Sequence, residues 1–471
     1  MDAALLERFF AVQQVLGRRW PEDRIAPTLE RIARGAELLG DPQAAFPSVL
    51  IAGTNGKTST ARMVDQLART VGLHTGRFTS PHLATLLERI NLFGEPISMD
   101  RFIETYDEIE PFVEMVDAES IGHGGPAMST FEVLTLLAFA AFSEAPVDMA
   151  VVEVGMGGTW DATNIMDPAV AVIAPVGLDH MQYLGSTIAQ VAGEKAGIIK
   201  PDGIVVVARQ DPVALEVISR RAEEVGAQVV LQDRDFRIVQ RSLAVGGQYL
   251  DIQGLGGLYD EIILPLHGEH QADNAALALV AFECFLGGGH QRLDVALVRE
   301  AMASVTSPGR LEVLRSSPTV IVDAAHNAQG VRAAMTAVEE AFGLNGVVCV
   351  LAAMADKDVE AMAMELAPFA DAVVVTSMPS PRAMVVDELG ARVAAVLGHE
   401  RVVVTEPIED ALTAAVAMAD DARAAGSSAG VVVLGSVVLA GAARTLLGAG
   451  AVDAIAPMPP DQRLSGEPDE L

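Results

Sequence analysis

Residues 48–70 read SVLIAGTNGKTSTARMVDQLART. A short apolar run, SVLIA, passes into Gly53-Thr54-Asn55-Gly56, then Lys57, then the hydroxyl residues Thr58 and Ser59, and then a helical pattern. Strand, glycine turn, lysine and helix start in that order make a phosphate-binding loop. The glycines let an anion approach the backbone, the amides at the helix start face it, and the lysine adds charge. Thr58 or Ser59 would offer a hydroxyl to Mg²⁺. The usual spacing G-x-x-x-x-G-K-[ST] is not kept: Ile51 stands where the first glycine should be, and the glycines are Gly53 and Gly56. An incidental turn before an ordinary helix is the weaker account, because it needs neither the lysine nor the hydroxyls.

Outward from this loop, Val/Ile-rich runs alternate with Ala/Leu/Glu stretches, the pattern of βαβ units around a parallel sheet. Strands are predicted at residues 48–52, 149–154, 169–174 and 204–208, each a near-continuous apolar run. Residues 236–266 alternate more and are rich in glycine, which predicts a small antiparallel excursion, followed by a helix over 271–285. The stretch SVTSPGRLEV from Ser304 gathers turn residues around Pro308-Gly309 and predicts a domain boundary. Alternation then restarts, with strands at 320–323, 347–351, 372–376, 401–404 and 430–434 and a helix from Gly330. The fold class is therefore α/β: a mostly parallel, P-loop-containing N-terminal domain over 1–308 and a smaller Rossmann-like α/β domain over 309–455. The Pro-rich, acidic end, 456–471, reads as a disordered tail.

The 471 residues carry 32 Lys+Arg against 63 Asp+Glu, a formal charge of −31, with 51% hydrophobic and 20% charged residues. That composition excludes a disordered or fibrous chain. So acidic a chain repels phosphate backbones and anionic lipid, so neither nucleic acid nor membrane is expected as a partner. The apolar runs 131–142 and 430–443 are shorter than the roughly 18 residues that span a bilayer. Two cysteines, Cys284 and Cys349, make neither a disulfide framework nor a zinc site, and MDAALLERFF lacks the basic start of a signal peptide. A cytoplasmic protein is expected.

Further candidates follow from residue chemistry. Glu153 ends the run VVEV, where open α/β sheets bind ligands, and a carboxylate opposite a phosphate loop is a natural metal ligand. The adjacent Gly155-Met156-Gly157-Gly158 permits close approach but fails the dinucleotide spacing G-x-G-x-x-G. On residue type alone, Ser80 is a turn residue before Pro81, His180 a loop histidine, Phe131 a core aromatic and Lys195 a solvated or ion-paired cation.

The strings GTNGKT, TSPHL (79–83), ERI (88–90), TFE (130–132), EVGMGG with DATN (153–164), LDH (178–180), GEKAGIIK (193–200), PGR (308–310), DAAHN (323–327) and MADKD (354–358) occur in one order. Together they resemble the folylpolyglutamate synthase and dihydrofolate synthase family of the Mur ligase superfamily, over residues 23–436. The resemblance implies ATP- and Mg²⁺-dependent amide formation between L-glutamate and dihydropteroate, or the γ-carboxyl of a reduced folate, through an acyl phosphate, by a monomer. It implies ATP contacts at Thr54, Asn55, Gly56, Lys57, Thr58, Ser59, Asn274, Arg310, Asp323 and His326, with the nucleotide clamped between two domains. It makes Ser80, Glu153 and His180 metal ligands, and gives Ser129, Thr130, Phe131, Glu132, Trp160 and Asp161 to the folate, Phe131 by stacking on the pterin. Catalytic roles fall to Lys57, Lys195, His180 and Arg310, with Lys195 expected as a CO₂-derived carbamate. One departure stands out: Thr159 follows the double glycine where the family commonly has arginine. A cell-wall Mur-type amino-acid ligase and a regulatory P-loop NTPase are the alternatives.

Overall fold

The computed structural model describes residues 3–19 and 26–448. The expected disordered tail, 456–471, and the expected end of the second domain at 455 lie outside the described residues. The described chain forms two compact units. Of the described residues, the first takes those within 3–82, 86–308 and 336–341, the second those within 83–85, 309–335 and 342–448.

The first unit opens with helices α1 (Ala3–Arg18) and α2 (Glu30–Leu38). Strand β1 (Ser48–Ala52) then leads through the phosphate loop into α3 (Lys57–Thr70), and β2 (Thr75–Phe78) returns. An antiparallel extension, β3 (Ile90–Leu92) and β4 (Glu95–Pro96), precedes the long helices α4 (Met99–Gly122) and α5 (Thr130–Glu144). Then come β5 (Met149–Glu153), β6 (Val170–Ile173), α6 (Met181–Leu184), α7 (Ile188–Ala196), β7 (Ile204–Val207), α8 (Pro212–Glu224) and β8 (Gln228–Leu231). The eight strands form one sheet in the order β4-β3-β2-β5-β1-β6-β7-β8, parallel from β2 to β8. Every residue of β1 and β5 is buried, as strands covered on both faces require.

Strands β2 and β8 and the β3–β4 extension were not expected from the sequence. In β2 a glycine and a charged Arg77 interrupt the apolar pattern. Two nitrogens of the buried Arg77 guanidinium find partners, one in Asp65 of α3 and the other in Asn91 Oδ1 of β3, at 2.6 Å.

The predicted excursion is a three-stranded antiparallel sheet of β9 (Arg237–Ala244), β10 (Gly247–Gln253) and β11 (Leu258–Leu264), with β10 central. Helices α9 (Glu269–Gly287) and α10 (Val295–Ala303) follow. Helix α9 is apolar nearly all round, the pattern of a buried helix. Its Ala275, Leu279 and Phe282 share one core with Val49 and Val172 of the large sheet and Ile252 and Ile262 of the small one. Near its end, buried Glu283 accepts bonds from Leu255 N (2.8 Å), Gly256 N (2.9 Å) and the Tyr259 hydroxyl (2.7 Å). A glutamine there keeps one acceptor oxygen and adds two donors, so a buried N–H or O–H loses its partner. Glu283→Gln should therefore cost about 1–3 kcal/mol, read as a lower urea midpoint; an unchanged midpoint would show that these bonds contribute nothing.

The second unit holds β12 (Glu312–Ser316), β13 (Thr319–Val322), α11 (Ala328–Phe342), β14 (Gly346–Leu351), α12 (Val359–Leu366) and β15 (Ala372–Val375). It continues through α13 (Val386–Leu397), β16 (Val402–Val404), α14 (Ile408–Ala424), β17 (Ala429–Leu434) and α15 (Val437–Leu446). Its sheet runs β12-β13-β17-β14-β15-β16 and is parallel except for the β12 edge, a strand absent from the sequence reading. No helix among the described residues is long and apolar enough to cross a membrane.

Candidate functional site

The order β2-β5-β1-β6 decides which residues meet, because each strand delivers its following loop to the same, carboxyl edge. Ser80 follows β2, Glu153 ends β5, Gly53–Lys57 follow β1, and residues 174–180 follow β6. Gly53 has φ +155°, and a Cβ there would lie 2.7 Å from the Ala174 Cβ, so only glycine lets these two loops touch. Thr54 bridges the same gap: its amide donates to Pro175 O at 2.9 Å and its hydroxyl donates to Gly177 O at 2.9 Å. The Asn55 amide also points to Pro175 O, at 3.4 Å. Both amides are thus turned to the neighbouring loop. Gly56, at φ +87°, has Asn274 of α9 against it; a Cβ there would come 2.5 Å from the Asn274 Oδ1. Asn274 is no helix cap, since α9 is capped by Gly268, six residues earlier.

The Thr58 hydroxyl donates to both oxygens of Glu153, each at 3.0 Å, and the Ser80 amide points to Glu153 Oε2 at 3.3 Å. Glu153 is 2% exposed. Among the described residues no group of three His, Cys, Asp or Glu could hold a metal. The donor set here is instead one carboxylate with two hydroxyl residues, hard oxygens of the kind Mg²⁺ prefers, so the residues fit that ion. His180 sits at φ +49° at the start of α6, its amide donating to Asp179 Oδ1 at 2.8 Å and its Nε2 lying 3.9 Å from Asp179 Oδ2. The sequence reading passed over Asp179, although it stands inside the LDH string. It also passed over Arg89, which braces the Ser80 loop: its carbonyl accepts from Thr79 N at 2.9 Å and its Nε donates to His82 Nδ1 at 3.0 Å. Burial, then the Arg89 charge, holds His82 neutral, with a pKa of about 3.

Lys195 is not a solvated cation. It is 4% exposed, and its Nζ donates to Gly53 O at 2.9 Å. The Lys57 Nζ donates to the same carbonyl at 3.1 Å, and to Thr54 O at 3.3 Å. Two amines therefore converge on one oxygen. Burial first, and the Lys57 charge second, lower the Lys195 pKa to about 7, against the opposing pull of Asp179, Asp161 and Glu194. Gly158 allows this approach, since a Cβ on it would lie 3.0 Å from the Lys195 Cα. Thr159 extends the seam, its amide donating to Glu194 O at 2.9 Å.

Asp161 ties down the glycine loop, accepting from Met156 N at 2.9 Å, Thr163 N at 3.0 Å and the Thr163 hydroxyl at 2.5 Å. Burial pushes its carboxyl pKa up, and these donors oppose the shift. Trp160 packs on Gly157, where a Cβ would lie 3.1 Å from its Cζ2. Phe131 is half-buried, with its ring over Gly155 and its centroid 5.7 Å from that of Phe78. Phe131, Trp160 and Asp161 thus border one loop.

The neighbours of Phe131 have structural employment that the sequence reading did not anticipate. Ser129 and Glu132 form a capping box at the start of α5, and Glu132 also pairs with Arg31, Nε to Oε1 at 3.1 Å. The Thr130 hydroxyl donates to Leu16 O at 2.8 Å.

In the second unit, Asp323 follows β13 and is buried. Its oxygens accept from Leu311 N at 2.9 Å and Ala325 N at 2.7 Å, so it ties the chain just after Arg310 to the DAAHN turn. Burial raises its pKa, offset in part by Arg310 and these amides. His326 is held through Nδ1, 2.9 Å from Ala324 O.

Residues 51–282 match the Mur ligase middle domain, and residues 309–437 match the Mur ligase glutamate ligase domain. The chain is 51% identical to the dihydrofolate synthase/folylpolyglutamate synthase of Mycobacterium tuberculosis (strain ATCC 25618 / H37Rv), covering 93% of each chain. It superposes on crystal structures of M. tuberculosis folylpolyglutamate synthase complexed with ADP and AMPPCP with a TM-score of 0.90, at 49% identity, covering 94% of this chain and 99% of that one. A folylpolyglutamate synthase complex with AMPPCP and folate superposes with a TM-score of 0.80 at 28% identity, covering 93% of this chain and 99% of that one. With the phosphate loop, the buried carboxylate beside it and the buried lysine in place, this chain belongs to the dihydrofolate synthase/folylpolyglutamate synthase family of Mur ligases.

Proposed function

We propose that the protein joins L-glutamate to dihydropteroate, and to the γ-carboxyl of reduced folates, with ATP consumed to ADP and phosphate. The observation that carries this reading is the convergence of Lys57, Lys195, Thr58, Glu153 and Ser80 at one sheet edge. A carboxylate does not acylate an amine at neutral pH, so its oxygen first attacks the γ-phosphorus of ATP, releasing ADP and forming an acyl phosphate. The glutamate amine then attacks the acyl carbon; the C–N bond forms, phosphate leaves, and the amine loses a proton. Such transfers depend on positioning and charge neutralisation. Lys57 swings from the Gly53 carbonyl onto the phosphates, while the first-turn amides of α3, which lack intrahelical acceptors, face the same anion. Thr58, Glu153, Ser80 and His180 would hold Mg²⁺, which supplies positive charge against the phosphate oxygens. In the second unit Arg310, Asp323 and His326 are assigned to the nucleotide, as the family resemblance implies. Names of relatives specify folate enzymes, and the Mur-type and regulatory NTPase alternatives are set aside on that ground. A monomer working in the cytoplasm completes the reading, the two buried, free cysteines being compatible with a reducing compartment.

The test is incubation with MgATP, L-glutamate and either dihydropteroate or tetrahydrofolate, with products identified by mass spectrometry. ADP release that ignores both glutamate and the pterin would sink the reading.

Phe131→Ala should raise KM for the pterin substrate roughly 2- to 12-fold, the weight of one aromatic stack, with KM for ATP unchanged. A fallen melting temperature with an unchanged pterin KM would assign the ring to the core.

A further inference from the structure

Ser59 lies in the first turn of α3, directly after the lysine and threonine of the phosphate loop, and is 2% exposed. Its hydroxyl lies 3.1 Å from the hydroxyl of Ser307, which is 6% exposed and 248 residues away in sequence. One turn further along α3, Arg62 Nη1 reaches Thr306 O at 3.5 Å. Val305 is buried in the same core as Ala61 and Val64 of α3. Three consecutive residues at the end of the first unit are therefore laid along the helix that opens the phosphate loop.

The hydroxyl pair has a donor count that matters. Each serine carries one O–H and two acceptor lone pairs. If Ser59 gives its proton to a phosphate oxygen, its bond to Ser307 can persist only with Ser307 as donor. A hydroxyl that accepts one bond becomes a better donor in the next, because the chain polarises. From this geometry we infer that Ser307 is a positioning residue for the nucleotide: it donates to Ser59 and so aims and strengthens the Ser59 hydroxyl at the phosphates. It touches no substrate itself and acts only through Ser59. The inference rests on the nucleotide reading of the loop given above, and it extends the site to a residue outside every motif string of the chain.

The test is a double-mutant cycle on the whole protein, read by calorimetric titration with MgADP. Ser307→Ala should weaken ADP about fivefold, the equilibrium weight of one ordinary hydrogen bond, and raise KM for ATP while leaving KM for the folate unchanged. Ser307→Thr, which keeps the hydroxyl, should restore most of the affinity. In Ser59→Ala the second change, Ser307→Ala, should add nothing further. An unchanged ADP affinity in Ser307→Ala, or losses that simply add in the double variant, would overturn the inference. Failure of the parent protein to bind ADP defeats both this inference and the reading it rests on. ADP binding without glutamate-dependent turnover defeats only the ligase reading, and the cycle then decides the role of Ser307 by itself.

Discussion

Replacing Lys195 by alanine is expected to remove nearly all turnover, and acetate or formate is expected to return part of it. The amine is buried, sits at the phosphate loop and has its pKa lowered to about 7. At pH 7 about half of such amines are neutral, against roughly one in three thousand of ordinary lysines. A neutral amine can attack CO₂: the N–C bond forms, a proton leaves, and the side chain changes from a cation to a carbamate anion. That anion at the Gly53 carbonyl of the phosphate loop would favour a divalent cation which an ammonium would repel. A small carboxylate diffusing into the space left by alanine reproduces the charge, hence the rescue. The pH dependence has a definite sign: in CO₂-stripped buffer, recovery on adding an equal concentration of dissolved CO₂ should be faster at pH 8 than at pH 6, because the neutral fraction is larger. Stability gives a second readout. The folded amine has a lower pKa than the unfolded one, so between about pH 7 and pH 10.5 the unfolded chain binds more protons and stability rises with pH. Below that window the folded protein bears the whole cost of a buried ammonium. Lys195→Met, with no charge to bury, should be more stable than the parent at pH 6 although inactive. Full activity in Lys195→Ala without any added acid would return the lysine to a purely structural role.

Lys57→Ala should lower kcat by roughly 10²–10³-fold, the usual loss when a preorganised charge is removed from a reacting oxyanion. The shared carbonyl adds a second, smaller effect. Lys57 is one of the charges that depress the Lys195 pKa. Its loss lets that pKa climb, so residual turnover in Lys57→Ala should improve as the pH is raised from 7 to 8.5. A variant with near-normal turnover would show that the loop is not catalytic.

Much of this architecture was legible because its signals are local. The run SVLIA, apolar and followed by glycine, gave β1 to the residue, and the alternating, glycine-rich stretch after Phe236 announced the antiparallel sheet. What escaped depends on partners distant in sequence. Strand β2 contains Arg77, and nothing in TGRF says that Asp65 and Asn91 will be waiting for its guanidinium. Ser129 and Glu132 show the opposite failing. Their S-x-x-E spacing ahead of an apolar run is a helix-start signature in its own right, yet the family resemblance drew attention to substrate contacts instead. By residue type Lys195 is a solvated or ion-paired cation. Its burial follows from Gly158, 37 residues earlier, which lets the helix carrying it pack against the glycine loop.

The place of β1 between β5 and β6 also sets a schedule for synthesis. β1 is the first strand of its sheet to leave the ribosome, but its partners on both sides are made long afterwards. From Ala52 to the end of β6 at Ile173 is 173 − 52 = 121 residues. At roughly 5–20 residues per second, translation takes about 6 to 24 s to cover that distance. Until β5 is complete at Glu153 the five residues that later lie wholly buried have no native strand on either edge, and until Ile173 one edge stays open. An inner strand of the finished sheet is thus an unpaired apolar segment of the growing chain, and it must be kept from a neighbouring ribosome's copy until its own β5 and β6 arrive.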